Sequence, residues 1–314
     1  MSAPFASVII PNYNGAHLLP TCLDSLRRQK FRDYEVVVVD NASADNSLRL
    51  LREQYPEVTV LPMSRNLIFA GAVNEGIRNT ASEMAVLLNN DTEVDDHWLA
   101  ELASAFVSQP GFGWFACKML LFDRRDTIDS AGDLYRVDGI PGIRGDMQRD
   151  AGQFDQPGEV FGACGGAAAY RRSMLEDIGL FDEDLIAYCE DVDLNLRAHL
   201  AGYRCYFVPT ARVYHRRSAT GGGKLASYLC GRNFILVAVK DLPAEAFRRH
   251  WHRIVWAQVR LFGGTLGHLR EPAARARVRG QMAALTALPR FLARRREIQR
   301  SARVSGQEIL RVLS

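Results

Sequence analysis

The first third of the chain is a series of short apolar runs, each ending on polar residues. Ser7-Val-Ile-Ile-Pro11 reads as a buried strand that stops at a proline. Residues 15–29 then carry helical spacing through Leu19, Leu23 and Leu26. Glu35 to Val39 is a second, β-branched run closed by Asp40. Val58 to Leu61 and Met84 to Leu88 are a third and a fourth. Helices are predicted between them over 45–54, with Asp45 as N-cap, and over 70–79. Strands of four to six apolar residues alternating with helices predict an α/β fold, with a mostly parallel sheet covered on both faces. Such sheets bind ligands beyond the carboxyl ends of their strands. Here those ends are Pro11 to Asn14, Asp40-Asn41, Ser64 to Asn66 and Asn89 to Asp91, and all four are polar.

The pattern then loosens. Residues 122–158 are rich in Gly, Asp and Arg with little period, and read as a long loop or small insertion. Gly165-Gly166 marks a tight backbone segment. Helices are predicted over 172–178, 190–200 and 225–240, and strands over 204–208 and 212–215. The acidic cluster Glu190-Asp191-Val192-Asp193 thus falls at a helix start, where the helix dipole favours it. From 244 onward Phe247, Trp251, Val255, Val259, Phe262, Leu266 and Leu269 recur every three or four residues. Arg249, Arg253 and Arg260 fall on the opposite face, which predicts a basic amphipathic helix followed by more Arg-rich helix. The expected organisation is a catalytic domain over 1–240 and a helical extension over 241–314.

Charge sharpens that division. The 314 residues carry a net charge of only +3, yet from Lys240 onward there are sixteen Lys plus Arg against five Asp plus Glu. The six cysteines form neither a CxxC pair nor a metal-ligand spacing, as expected of reduced thiols in a cytoplasmic protein. No basic region followed by an apolar run opens the chain, and no stretch approaches the ~20 apolar residues of a membrane span.

The segments Ser-Val-Ile-Ile-Pro-Asn-Tyr-Asn-Gly at 7–15, Val-Val-Asp-Asn-Ala-Ser-Ala-Asp at 38–45, Arg-Asn-Leu-Ile-Phe-Ala-Gly-Ala-Val-Asn-Glu-Gly at 65–76, Asn-Asn-Asp-Thr at 89–92 and Glu-Asp-Val-Asp-Leu-Asn-Leu-Arg at 190–197 come in one order. Together they resemble the family 2 glycosyltransferases, most closely the rhamnosyltransferase type that builds bacterial cell-surface polysaccharides. The resemblance spans roughly residues 5–240. It implies a GT-A, Rossmann-like fold, a nucleoside-diphosphate sugar donor, a divalent metal (Mg²⁺ or Mn²⁺) and inversion at the anomeric carbon.

The residue chemistry agrees. A departing nucleoside diphosphate needs its charge neutralised, and a divalent ion on carboxylates and phosphate oxygens does this. Asp91 is placed for that role, set against the reading of a strand-terminal Asp that caps the next helix. The family often has a second acid just after it, and here that position is Thr92. The resemblance points to His215 as a further ligand. An acceptor hydroxyl needs a base, a role that the resemblance gives to Asp191 of the Glu190-Asp191 pair. Neighbouring acids and partial burial are expected to raise the pKa of Asp191. The alternative is a helix-capping cluster. Asp40 is expected to hydrogen-bond the nucleobase. Pro11, Tyr13, Asn14, Asn41, Asn66, Gly71, Asn74 and Asn90 complete the expected nucleotide-sugar site. Gly165 and Gly166 with Lys224, Tyr228 and Arg232 are candidates for the acceptor or its diphosphate, against the plainer reading of turn glycines and a solvated basic face.

The basic helix suggests contact with an anionic membrane surface, which would suit a polyprenyl-diphosphate-linked glycan acceptor at the inner face of the plasma membrane. The alternative is that Phe247, Trp251 and Phe262 pack on the catalytic domain or on a second subunit in a homodimer. Two other classes compete. A nucleotidyltransferase usually follows its first strand with a Gly-rich phosphate loop, whereas this turn is Pro-Asn-Tyr-Asn-Gly. A non-catalytic nucleotide-sugar or nucleic-acid binder would leave the acids unused, and no aromatic-interleaved recognition module accompanies the arginines. No nucleic-acid partner is expected. A dehydrogenase is disfavoured, since no GxGxxG follows the first strand.

Overall fold

The computed structural model describes residues 3–217, 219 and 222–314. In chain order the elements are β1 (Ala6–Asn12), α1 (Leu19–Arg27), β2 (Tyr34–Asp40), α2 (Ser47–Gln54), β3 (Thr59–Pro62), α3 (Ile68–Arg78), β4 (Met84–Leu88), β5 (Thr92–Val94) and α4 (Trp98–Ser108). There follow β6 (Trp114–Leu121), β7 (Ile128–Ser130), β8 (Asp133–Tyr135), β9 (Pro141–Ile143), β10 (Gly158–Val160), β11 (Ala167–Arg171) and α5 (Arg172–Ile178). After a single 3₁₀ turn come α6 (Glu190–Leu200), β12 (Cys205–His215), α7 (Gly223–Asp241), α8 (Ala244–Leu266), α9 (Pro272–Ser301) and α10 (Gly306–Val312).

The chain forms two compact units. The first holds the residues through Gly132, Ile143–Phe181 and the stretch from Arg204 to 220. Its sheet runs β10-β12-β6-β11-β4-β1-β2-β3, with β5 on β12 and β7 on β6. The expected parallel pairing holds for β4, β1, β2 and β3, and for β6 with β12. It fails at β11, which runs antiparallel between β4 and β6 and makes the sheet mixed. The Ala-Ala-Ala-Tyr run of β11 lacks β-branched residues, and pairing on both edges overrides that weak propensity. The two strands expected over 204–215 are one, β12, whose register is irregular between Val208 and Arg212. Pro209, which has no N–H to give the ladder, lies in that gap. The long loop expected over 122–158 contains four short strands, β7 to β10.

Burial on both faces explains the unbroken apolar runs. Val8, Ile10, Val86 and Leu88 pack with Leu19, Leu23 and Leu26 of α1 and with Trp98, Leu99 and Leu102 of α4. Ile9 points the other way, to α3, where a Cβ on Gly76 would stand 2.3 Å from Ile9 Cγ2. The α2 cap also differs from expectation. Its N-cap position is Asn46, and Asp45 accepts from the Ser47 N–H at 3.0 Å and the Ala16 N–H at 2.9 Å. A carboxylate one residue early still satisfies an orphan donor and also ties down the β1 turn.

The second unit gathers Asp133–Gly142, Asp182–Tyr203 and the chain from 221 to Ser314. The Glu190-Asp191 segment therefore shares a unit with the C-terminal helices. Helices α7 and α9 approach closely at two glycines. A Cβ would lie 2.5 Å from the Arg277 carbonyl oxygen at Gly231 and 2.0 Å from the Tyr228 carbonyl oxygen at Gly280. Lys240, 2% exposed, pairs with Asp182 and Asp193. Helix α8 packs through Ala246, Ile254 and Ala257. Its larger apolar residues stay out: Trp251, Val255 and Val259 are each more than half exposed. Among the described residues no helix is long and apolar enough to cross a membrane.

Candidate functional site

In the first unit, strand order reverses at β1: β2 and β3 lie to one side and β4 to the other. Such a reversal is where α/β sheets bind ligands. A row of side chains floors it. Asn90 Nδ2 donates to Asn12 Oδ1 at 2.7 Å. Asn12 Nδ2 donates to Asp40 Oδ2 at 3.0 Å and to Ser43 Oγ at 3.3 Å. Asp40 Oδ1 accepts from the Ser43 N–H at 3.0 Å. Gly15 lies over the Asn12–Asn90 bond, where a Cβ would stand 2.3 Å from both partner atoms.

Two of the expected ligand contacts are also tied into the fold. Asp40 is 0% exposed, and both of its oxygens accept hydrogen bonds within the floor. Asn74 is 1% exposed and clamps Phe181, donating to its carbonyl at 2.9 Å and accepting from its N–H at 3.0 Å. Asn41 and Asn66 frame the start of α3. Asn41 donates to Ile68 O at 2.8 Å and accepts from the Leu67 N–H at 3.0 Å, while Asn66 Oδ1 accepts from the Ile68 N–H at 2.7 Å. Gly71 is buried inside α3. The residues of the expected site left with accessible surface are Pro11, Tyr13, Asn14 and Asn66, with Tyr13 51% exposed. Asn12, which the sequence reading passed over, is the hub of the row. Its signal was its alternation with Tyr13: in a strand, neighbours point to opposite faces.

β5 pairs antiparallel with the end of β12 and sets His215 opposite Thr92. That register places His215 Nε2 3.4 Å from Asp91 Oδ1. The other ring nitrogen, Nδ1, lies 2.7 Å from Oδ2 of Asp129, on β7. Burial pulls the imidazole pKa down, but hydrogen bonds to Asp129 and Asp91 outweigh it and raise the ring to about 9. The carboxylates thus create a place for positive charge. Among the described residues no group of three or more His, Cys, Asp or Glu side chains is arranged to hold a metal ion. The donor set still fits one in part. An oxygen and an imidazole nitrogen face each other, and Asp129 can fix the ring through Nδ1–H as second-sphere carboxylates do. Ligand oxygens would supply the remaining positions. Thr92 does not assist, since its hydroxyl donates to Asn89 O at 2.6 Å. Gly166 backs onto the same turn, its carbonyl accepting from the Asn89 N–H at 2.9 Å. Gly165 beside it is buried.

In the second unit the acids at the start of α6 diverge. Asp193, 0% exposed, pairs with Lys240 and with Arg197 at 2.9 Å. Glu190, 6% exposed, is turned inward, and its Oε2 has no hydrogen-bond partner among the described residues. Asp191 alone is partly exposed, and its Oδ1 accepts from the Val192 N–H at 2.8 Å. Burial, and then the Asp191 charge, push Glu190 well above the usual carboxylate range. Asp133, on β8, is raised by the same two causes and partly offset by Asn195, whose Nδ2 lies 3.3 Å away. Two carboxyls driven toward neutrality beside one accessible carboxylate suit a proton acceptor. Asp133 has no sequence signal, because it sits in the unpatterned 122–158 stretch. Of the α7 candidates, Lys224 is exposed and Tyr228 partly exposed. Arg232 turns inward, donating to Asp184 O at 3.0 Å and Asn233 Oδ1 at 2.8 Å.

Known proteins resemble this chain in sequence and fold. The chain is 29% identical over 227 residues to the O-antigen biosynthesis protein RfbC of Myxococcus xanthus, covering 69% of this chain and 18% of that one. It is 28% identical over 259 residues to the N-acetylglucosaminyl-diphospho-decaprenol L-rhamnosyltransferase of Mycobacterium tuberculosis, covering 72% and 80%. The chain thus spans less than a fifth of RfbC but most of the mycobacterial protein. Among solved structures, GalNAc-T7 with UDP, GalNAc and Mn²⁺ superposes with a TM-score of 0.61 at 18% identity over 76% of this chain and 48% of that one. The mannosyltransferase PcManGT of Pyrobaculum calidifontis, with GDP-Man and Mn²⁺, gives 0.56 at 19% identity over 96% and 86%. These likenesses show a GT-A fold. The family model described as Glycosyl transferase family 2 matches residues 7–179, more than half of the chain. The chain belongs to glycosyl transferase family 2.

Proposed function

We propose that the protein transfers a sugar, with inversion, from a nucleoside-diphosphate sugar to a hydroxyl of a glycan or polyprenyl-diphosphate-linked glycan in cell-surface polysaccharide synthesis. The observation that carries this reading is the single accessible carboxylate of Asp191, flanked by the buried Glu190 and Asp133. The acceptor oxygen bonds to the anomeric carbon as that carbon's bond to the diphosphate oxygen breaks. The proton passes to Asp191, and the electron pair leaves with the nucleoside diphosphate. Asp91 and His215 hold the divalent ion, with Asp129 orienting the ring; when bound, Mg²⁺ or Mn²⁺ neutralises charge on the diphosphate. Pro11, Tyr13 and Asn14 contact the nucleotide from the rim of the Asn12–Asp40 floor. dTDP-rhamnose is the proposed donor, and the similarity to a mycobacterial L-rhamnosyltransferase supports rhamnose as its sugar.

A screen of dTDP-rhamnose, UDP-sugars and GDP-mannose with Mn²⁺ and an N-acetylglucosaminyl polyprenyl diphosphate tests this reading. Acceptor-dependent release of nucleoside diphosphate is expected. Consumption of a nucleoside triphosphate with release of inorganic pyrophosphate would replace it with a nucleotidyltransferase.

The same reading places the enzyme at the inner face of the plasma membrane. Its support is the exposed stripe of Trp251, Val255, Val259 and Leu266 on α8, with exposed Arg249, Arg253 and Arg260 on the same helix. Interfacial helices combine such features. Flotation with anionic liposomes should fall when Trp251, Val255 and Val259 are changed to Ser. Unchanged flotation, or none in the wild type, would sink the idea, and a concentration-dependent dimer lost in the same variant would assign the stripe to a second copy.

A further inference from the structure

The five residues ahead of α6 hold a backbone that few L-residues adopt. Ile186 has φ 72° and ψ −73°, and the Ala187 N–H donates to Leu185 O at 2.9 Å. This is the strained, positive-φ form of the γ-turn, occupied here by a β-branched residue. Tyr188 and Cys189 follow at φ 64° and 70°, both left-handed. Three such residues in four end directly on Glu190-Asp191.

One side chain holds them. Asn233 of α7 is 0% exposed, and its Nδ2 lies 2.8 Å from Leu185 O, 3.0 Å from Ala187 O and 2.7 Å from Tyr188 O. Two N–H groups serve three carbonyls, so one is shared. Its Oδ1 accepts from Arg232 Nη1, which also donates to Asp184 O. An ordinary buried amide would be satisfied by two acceptors on relaxed backbone. This one over-determines a loop that would otherwise relax, and strain persists only where surroundings over-determine it.

We propose that Asn233 is a positioning residue of the transfer reaction. It locks the Leu185–Cys189 loop and thereby fixes where α6 begins and where the Asp191 carboxylate stands. The inference rests on the reading of Asp191 as base. A shift of about 1 Å in a reacting group is worth on the order of 100-fold in rate.

The test measures kcat, donor KM and thermal midpoint for the wild type, Asn233→Leu, Ile186→Gly and Asp191→Asn side by side. Asn233→Leu keeps the heavy-atom branching but removes the donors. It should lower kcat about 100-fold and leave donor KM within about threefold. Ile186→Gly removes the strain. Its midpoint should hold or rise while kcat falls about tenfold, an opposition that a purely structural loop would not produce. A folded Asn233→Leu with kcat within threefold of wild type overturns the proposal. If that variant does not fold, unchanged kcat in Ile186→Gly overturns it and reduced kcat supports it. Asp191→Asn separates the two levels. Turnover retained there removes the base reading beneath, whereas turnover lost there with Asn233→Leu fully active removes only the role of Asn233.

Discussion

Replacing Glu190 by Gln should stabilise the protein, and increasingly so as pH rises. Glu190 is 6% exposed, its Oε2 lacks a partner among the described residues, and burial followed by the Asp191 charge raises its pKa well above the usual range. A carboxyl whose folded pKa is raised binds its proton in the native state at a pH where the unfolded chain has released it. Stability therefore falls as pH rises from the unfolded value, about 4.3, to the folded one. Within that window each pH unit costs about 1.4 kcal/mol. Gln keeps the neutral shape and carries no such slope. Between pH 5 and pH 7 the wild type should thus lose stability steadily relative to Glu190→Gln. At roughly 2–4 °C per kcal/mol, this separates their thermal midpoints by several degrees. Melts of both proteins at pH 5, 6, 7 and 8 read this directly. A midpoint difference that is independent of pH, or a variant less stable throughout, would refute the reasoning. The variant should also retain turnover if, as proposed, Asp191 is the base.

Asp129→Asn removes the carboxylate that orients His215 and should weaken Mn²⁺ binding in the presence of nucleoside diphosphate by 10- to 100-fold; titration calorimetry showing unchanged affinity would remove Asp129 from the metal site. Gly15→Ala drives a Cβ into the Asn12–Asn90 bond and should cost about 1–3 kcal/mol in urea denaturation, against no more than ~0.5 if the turn yields freely. Lys240→Met removes the buried cation that Asp193 and Asp182 share, leaving them Arg197 and Arg294, and should cost about 1–3 kcal/mol, so a variant as stable as wild type would show that network to be dispensable.

The strands of the parallel half were legible because their apolar runs are long and end on polar residues, and α6 matches its expected span of 190–200. β11 was not, since Ala167-Ala-Ala carries no strand signal until β4 and β6 flank it. The approach of His215 to Asp91 was half legible. Asp91 and His215 were singled out, but only the β5–β12 register brings them together, and Asp129 was hidden in a stretch without period. Buried roles were the hardest to read. The bonds that tie Asp40 and Asn74 into the fold carry no sequence signal, because the partners of a buried carboxylate or amide are set by tertiary packing. On α8, sequence periodicity found a true apolar stripe. It could not tell that the helix would pack instead through Ala246, Ile254 and Ala257.

The central claim is that Asp191 takes the acceptor proton while Asp91 and His215 serve the diphosphate. The most direct test is the turnover of Asp191→Asn at saturating donor, acceptor and Mn²⁺, on protein shown to bind Mn²⁺–nucleoside diphosphate as tightly as wild type. The account predicts a loss of at least about 100-fold, since a positioned base contributes 10²–10⁴. Turnover within tenfold of wild type would contradict it.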